Sequence, residues 1–277
     1  MNPTDDSTQV YLTAVILSYN SRRYLEHCLR SLQASIAAIG RPCEVRVVEN
    51  GSRDGSADIL RALAAEFPNI EPIFCDRNTG TTVSRNMALR QARGRYILVL
   101  DSDAEAPAAT ITHLADLMQA DPRIGLAVPR LIYPDGRFQI STDCFPTLAR
   151  KLARFTSLKR MEAQAGRDPG TAVREVEYAI SAFWLLRREA VERTGLLDER
   201  IFYSPEDVDY CVRLWLDGWR IVYDPSVSAV HDAQEISRGK RLSKFTLRHA
   251  EGLAYYFAKY GTWLSAGALR RRIGAAR

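Results

Sequence analysis

Two acidic clusters have the residue types and spacing to do chemistry. Asp101-Ser102-Asp103 follows the apolar run Arg95-Tyr-Ile-Leu-Val-Leu100, and Ser204-Pro205-Glu206-Asp207 opens a stretch of helical periodicity. Two carboxylates one residue apart can share a divalent cation with a diphosphate, because hard cations take oxygen ligands and phosphate completes the set. Open α/β sheets bind ligands outside the carboxyl ends of their strands. That position sets Asp101 and Asp103 apart from an ordinary Asp-x-Asp turn or helix cap. The second cluster offers a base for whatever a nucleotide activates.

The elements that must position these acids alternate along the chain. Val10–Leu17 reads as a strand ending at Ser18-Tyr19-Asn20, followed by a helix with Leu25, Cys28, Leu29 and Leu32 on one face. Glu44–Val48 is a second strand, and Ile59, Leu60 and Leu63 mark the helix after it. Ile73–Cys75 makes a third strand, Val83–Ala92 a helix capped by Gly94, and residues 95–100 a fourth strand. This β-loop-α rhythm predicts a mainly parallel sheet, helices on both faces and right-handed crossovers.

Past residue 105 the pattern changes. Pro107 opens a helix with Ile111, Leu114 and Met118 inward, which Asp121-Pro122 ends. Leu126–Pro129 and the Tyr133-Pro-Asp-Gly-Arg-Phe138 turn predict a hairpin, since Asp-Gly supplies positive φ. Leu148, Leu152, Phe155, Leu158 and Met161 recur among cations, as a docked helix or a flap, until Gly166–Gly170 breaks the pattern. Val176–Leu186 reads as one apolar strand, Glu206–Asp217 as a helix stopped by Gly218, and Trp219–Tyr223 as a late strand leading to His231.

Composition sets the class. With 277 residues, 46% hydrophobic and 26% charged, the chain can bury a substantial core in one large domain. Cys28, Cys43, Cys75, Cys144 and Cys211 are odd in number and form no C-x-x-C pair, so they read as reduced thiols. The polar N-terminus resembles no signal peptide, and no run approaches a spanning helix, which predicts a cytoplasmic protein. Of the net charge of +5, residues 237–277 hold +9 (ten Lys/Arg against Glu251), leaving the body at −4. The expected division is residues 1–235 as a nucleotide-binding body and 236–277 as a basic helical extension.

The motifs Ser18-Tyr-Asn20, Glu49-Asn-Gly-Ser-x-Asp-Gly-Ser56, Arg85-Asn86, Asp101-x-Asp103, Glu206-Asp207 and His231 occur in an order that resembles the inverting family-2 glycosyltransferases. Gly195–Asp198, Glu206–Arg213 and Val222–Pro225 are most similar to the rhamnosyltransferase-like branch. The resemblance spans about residues 12 to 231 and implies the Rossmann-like A-type glycosyltransferase fold. It implies a sugar-nucleotide donor bound by Ser18, Asn20, Glu49, Asn50, Asp54, Arg85 and Asp101, and the Glu49 carboxylate favours a UDP- or dTDP-sugar. By the same resemblance, Asp103 and His231, with Asp101 directly or through water, would hold Mn²⁺ or Mg²⁺, the imidazole favouring Mn²⁺.

Residue chemistry adds to this. A carboxylate at the Glu49 position can accept the N3–H of uracil or thymine, whereas cytosine has an acceptor there. The family more often carries Asp in that slot. Asp207 is the expected base that deprotonates the acceptor hydroxyl, with Glu206 beside it and Asp209 as a cap. His27, His113 and His249 read as structural.

A nucleotidyltransferase or a non-catalytic nucleotide-binding protein of the membrane surface is the alternative. The Ser18-Tyr-Asn20 turn lacks the Gly-rich character the former needs, and G-x-G-x-x-G is absent. The tail mixes ten cations with Phe245, Tyr255, Tyr256, Phe257, Tyr260, Trp263 and Leu264, suited to an anionic membrane face beside a lipid-linked or glycan acceptor. Its aromatics over 244–262 can equally cover the body, leaving Arg270-Arg-Arg272 to bind. No nucleic-acid partner is expected.

Overall fold

The computed structural model describes residues 9–151, 170, 172–233 and 244–276. Strands β1 (Leu12–Ser18), β2 (Cys43–Glu49), β3 (Ile70–Phe74) and β4 (Tyr96–Asp101) alternate with helices α1 (Leu25–Ile39), α2 (Ser56–Glu66) and α3 (Thr81–Leu89). They pair in parallel in the spatial order β3-β2-β1-β4. After α4 (Ala108–Ala120) come β5 (Ile124–Ile132), β6 (Phe138–Gln139), β7 (Thr142–Asp143), β8 (Arg174–Glu175), β9 (Tyr178–Ala179) and β10 (Phe183–Arg187). The chain ends with α5 (Arg188–Thr194), α6 (Glu206–Leu216), β11 (Arg220–Val230), α7 (Lys244–Tyr260) and α8 (Gly267–Ala276).

The sheet continues past β4 as β10-β5-β11-β8. β10 is antiparallel to both of its neighbours, and β11 is parallel to β5. The mainly parallel sheet with flanking helices is thus the predicted architecture, with one reversed strand at its centre. Both faces are covered, so the strands are apolar on both sides. Leu12, Ala14 and Ile16 of β1 pack in one cluster with α1 and α4, while Val15 joins a second cluster with α3 and α6. Tyr256, Phe257 and Tyr260 of α7, and Leu269 and Ile273 of α8, belong to that second cluster. These three aromatics of the tail therefore cover the body.

Several expectations need correction. Residues 176–186 are not one strand: β9 pairs with β7, β10 joins the main sheet, and the chain turns between them at Ile180–Ala182. Gly94 does not cap α3, which ends at Leu89; a side chain there would strike the backbone of Leu12 and Thr13. β3 begins at Ile70 and contains Pro72, which its edge position tolerates. The Asp135-Gly136 hairpin forms, with Gly136 at φ 81° and β6 folded antiparallel on β5. The five cysteines are free thiols. Of the expected helix or flap over 147–170, residues 152–169 lie outside the described residues. Among the described residues, no helix is long and apolar enough to cross a membrane.

Candidate active site

One edge of the sheet gathers the chemistry. β1 ends there at Ser18, β2 at Glu49 and β4 at Asp101, and reversed β10 begins there after Ser181-Ala182. The Asp101 amide donates to the Ala182 carbonyl at 3.1 Å, which locks the two chains side by side. β11 arrives from the far half of the sheet. Its last residues pair across Asp103–Glu105, with Asp232 N–H donating to Asp103 O and Glu105 N–H to Val230 O, both at 2.9 Å. Backbone pairing thus delivers His231 to Asp103, 128 positions earlier in the sequence.

The resulting cavity has a volume of about 570 Å³. Asp101, Asp103 and His231 form its acidic end, with one ligand atom from each lying within 4.8 Å of the others. His231 Nε2 is 3.4 Å from Asp103 Oδ1 and 3.8 Å from Asp101 Oδ2. Its Nδ1 lies 2.8 Å from Gln139 Oε1, which accepts the Nδ1 proton and leaves the Nε2 lone pair toward the acids. Burial opposes protonation of His231, but the Asp103 hydrogen bond and the two aspartate charges raise its pKa overall. Burial, and then Asp103, push Asp101 upward against the lowering by Arg85. Two crowded carboxylates and an imidazole whose Nε2 faces them suit a divalent cation.

Arg85 joins this end of the cavity to the other acids. The Arg85 guanidinium donates to Asp101 Oδ1 at 2.5 Å, to Ser181 Oγ at 2.6 Å and to Glu206 Oε1 at 3.3 Å. It is buried, and Thr82, Ser84 and Asn86 of the same helix are buried with it. Ser181 Oγ also reaches Glu206 Oε1 at 3.2 Å. Burial first, and the neighbouring Asp207 second, raise the Glu206 carboxyl to about 8 despite Arg85. Asp207 is half-exposed and lines the cavity at the mouth of α6.

Of the other predicted residues, Asn20, Asn50 and Arg85 line the cavity; Ser18, Glu49 and Asp54 do not. Asn50 Oδ1 accepts from Thr79 N–H at 2.9 Å, and its amide nitrogen donates to Asn78 Oδ1 at 3.1 Å. Asn20, at φ 50°, takes Arg53 N–H on its side-chain oxygen. Buried Glu49 spends its carboxylate on the amides of Ser52 (2.9 Å) and Gly51 (3.2 Å). Asp54 accepts from Arg22 N–H and Ser56 N–H, while the Ser18 and Ser21 hydroxyls share a hydrogen bond. These three shape the loops under the cavity.

Sequence reasoning passed over Gln139, Ser181, Phe202 and Tyr203, all of which line the cavity. The Asp-Gly hairpin was the available signal for Gln139; Ser181 has none inside its apolar run. Asp209 is no cap: it is buried and paired with Arg213 and Lys259. His113 is held by Asp224 at 2.8 Å, and His27 by Glu105 at 2.8 Å. Burial holds the His249 imidazole down at about 4, in keeping with a structural role.

The chain was compared with known proteins. The model of glycosyl transferase family 2 matches residues 13–195. N-acetylglucosaminyl-diphospho-decaprenol L-rhamnosyltransferase of Mycobacterium tuberculosis is 28% identical, over 91% of this chain and 86% of its own length. Among solved structures, the mannosyltransferase PcManGT of Pyrobaculum calidifontis, in complex with GDP-Man and Mn²⁺, superposes with a TM-score of 0.61. It is 22% identical and covers 99% of this chain and 72% of its own. TarS 1–349 of S. aureus in complex with UDP gives 0.59 at 19% identity, covering 90% and 72%. These structural likenesses establish the A-type fold.

Proposed function

Since the chain belongs to glycosyl transferase family 2 and is a glycosyltransferase, we propose that it moves a sugar from a UDP- or dTDP-sugar to an acceptor hydroxyl, with inversion and a divalent cation. The observation that carries this reading is the acid–imidazole cluster facing Glu206 and Asp207 across one cavity, with Arg85 between them. Neither a nucleotidyltransferase nor a non-catalytic binding protein is favoured by the family match.

Asp101, Asp103 and His231 would hold Mn²⁺ or Mg²⁺, and the cation supplies charge stabilisation for a departing diphosphate. Gln139 keeps His231 Nε2 turned toward that place. Arg85, itself buried, adds a fixed, preorganised positive charge beside the place of the diphosphate. Asp207 accepts the acceptor's proton. Glu206 is the poorer base, because a carboxyl raised to about 8 is largely protonated at neutral pH. Asn20 and Asn50 face the nucleoside. Glu49 contributes by ordering the Gly51 and Ser52 amides, and direct contact with a base N3–H would require it to release them.

The Mycobacterium relative's name supports an L-rhamnosyl donor and an N-acetylglucosaminyl-diphospho-polyprenol acceptor, whose sugar carries the hydroxyls, as the first pair to test. Contact with a membrane is assigned to the turn between α7 and α8. Trp263 (45% exposed) and Leu264 (88%) stand out there beside Leu148 (45%), whose amide donates to the Trp263 carbonyl at 3.0 Å. Arg270, expected to be free, is engaged by Glu177 at 2.6 Å, which leaves exposed Arg271 and Arg272 for anionic headgroups.

Calorimetric titration of UDP and dTDP with and without Mn²⁺ tests the site. Wild type should bind tightly only with the cation, and Asp103→Ala should lose that cation-dependent binding with an unchanged circular dichroism spectrum. Equal affinity with and without Mn²⁺ in wild type would remove the metal from the site.

A further inference from the structure

The turn that presents Glu206 and Asp207 is held from behind by a helix whose described side chains line no part of the cavity. α7 crosses this turn at Gly252, where a β-carbon would run into the Ser204 carbonyl oxygen and lie 3.2 Å from Pro205 Cδ. Seven residues on, Lys259 Nζ donates to Asp209 Oδ1 at 2.6 Å and to Asp198 Oδ2 at 2.8 Å. Tyr260 Oη donates to Asp209 Oδ1 and Tyr255 Oη to Asp198 Oδ2, each at 2.9 Å. Asp198 and Asp209 bracket the segment that contains both candidate acids, so one ammonium ties its two ends together. The opposite side of the segment is anchored separately on α3, by Thr81 N–H to Phe202 O and Thr82 Oγ1 to Ile201 O, both at 2.7 Å.

We propose that α7, through Lys259 and the close approach at Gly252, is the positioning element that aims Asp207 into the transfer site. The proposal rests on Asp207 as the proton acceptor. A base works only within hydrogen-bond reach of the proton it takes, and a misplacement of about 1 Å costs on the order of a hundredfold in rate. Asp209 has a side chain 1% exposed, so losing its ammonium leaves a buried carboxylate to rearrange, with Arg213 as its remaining cation. That rearrangement occurs two residues from Asp207. Lys259 touches no reacting atom; its effect passes through α6.

The test compares full-length wild type with Lys259→Met, Lys259→Arg and the milder Tyr260→Phe. Hydrogen exchange is read on the peptide spanning 198–212 and on those covering β1, β2 and β4. Hydrolysis of a panel of UDP- and dTDP-sugars with Mn²⁺ is measured alongside. In Lys259→Met, exchange in 198–212 should quicken about tenfold with the sheet peptides unchanged, and kcat should fall about tenfold at constant KM. Lys259→Arg should restore both, and Tyr260→Phe should lie between. Unchanged exchange in 198–212, or an equal rise throughout the sheet, overturns the proposal. If wild type cleaves no sugar nucleotide, the transferase reading fails instead, and exchange alone decides whether α7 holds the turn.

Discussion

Glu206 and Asp207 are sequence neighbours with opposite surroundings, one buried against Arg85 and Ser181, the other half-exposed at the cavity wall. For Glu206 the consequence is measurable. Its folded pKa, about 8, lies above the unfolded value, so its protonated form supports the fold fully below about pH 4.5, and that support drains away as pH rises through 8. Glu206→Gln, which keeps shape without the charge, should therefore gain stability over wild type between pH 5 and pH 9. The gain in metal-free protein should be on the order of 3 kcal/mol by denaturant unfolding. A constant difference across that range would place the Glu206 pKa near its ordinary value. Asp207→Asn keeps size and removes proton acceptance, so kcat should fall by about 10²–10⁴ while UDP or dTDP affinity stays within about twofold. Full turnover in Asp207→Asn would move the base elsewhere.

At the scale of elements, the site is assembled by pairings of unequal legibility. β1, β2 and β4 with their helices are legible from apolar periodicity and loop residues, which is why the sequence alone places Asp101 and Asp103 at a strand end. The reversal of β10 could not. A strand buried on both faces shows the same apolar run whichever way it points, and Val176–Leu186 hid both the reversal and the break that delivers Ser181. Asp209 was misread for a related reason: its partners Lys259 and Tyr260 lie fifty residues away. The hairpin was legible through Asp135-Gly136, but its payload, Gln139 against His231, was not. Gly136 sits at φ 81°, so Gly136→Ala should cost roughly 1 kcal/mol of stability. Through Gln139 it should also weaken Mn²⁺ binding, as read by calorimetry. Loss of stability with unchanged Mn²⁺ affinity would uncouple the hairpin from His231.

For the whole molecule, charge and apolar surface are distributed unevenly. The acidic body carries the candidate active-site cavity, and the basic tail both pairs Lys259 with Asp209 of α6 and exposes the Trp263-Leu264 turn. The double variant Trp263→Ser, Leu264→Ser should reduce cosedimentation with anionic liposomes several-fold, by removing the apolar contact while Arg271 and Arg272 remain. Equal binding by wild type and variant would leave the turn without that role. The central claim is cation-dependent inverting sugar transfer, and the most direct test is to follow a UDP- or dTDP-sugar by NMR with Mn²⁺ present. The sugar should leave with inverted anomeric configuration, and the reaction should stop with EDTA and in Asp207→Asn. Retained configuration, or turnover indifferent to EDTA, would contradict it.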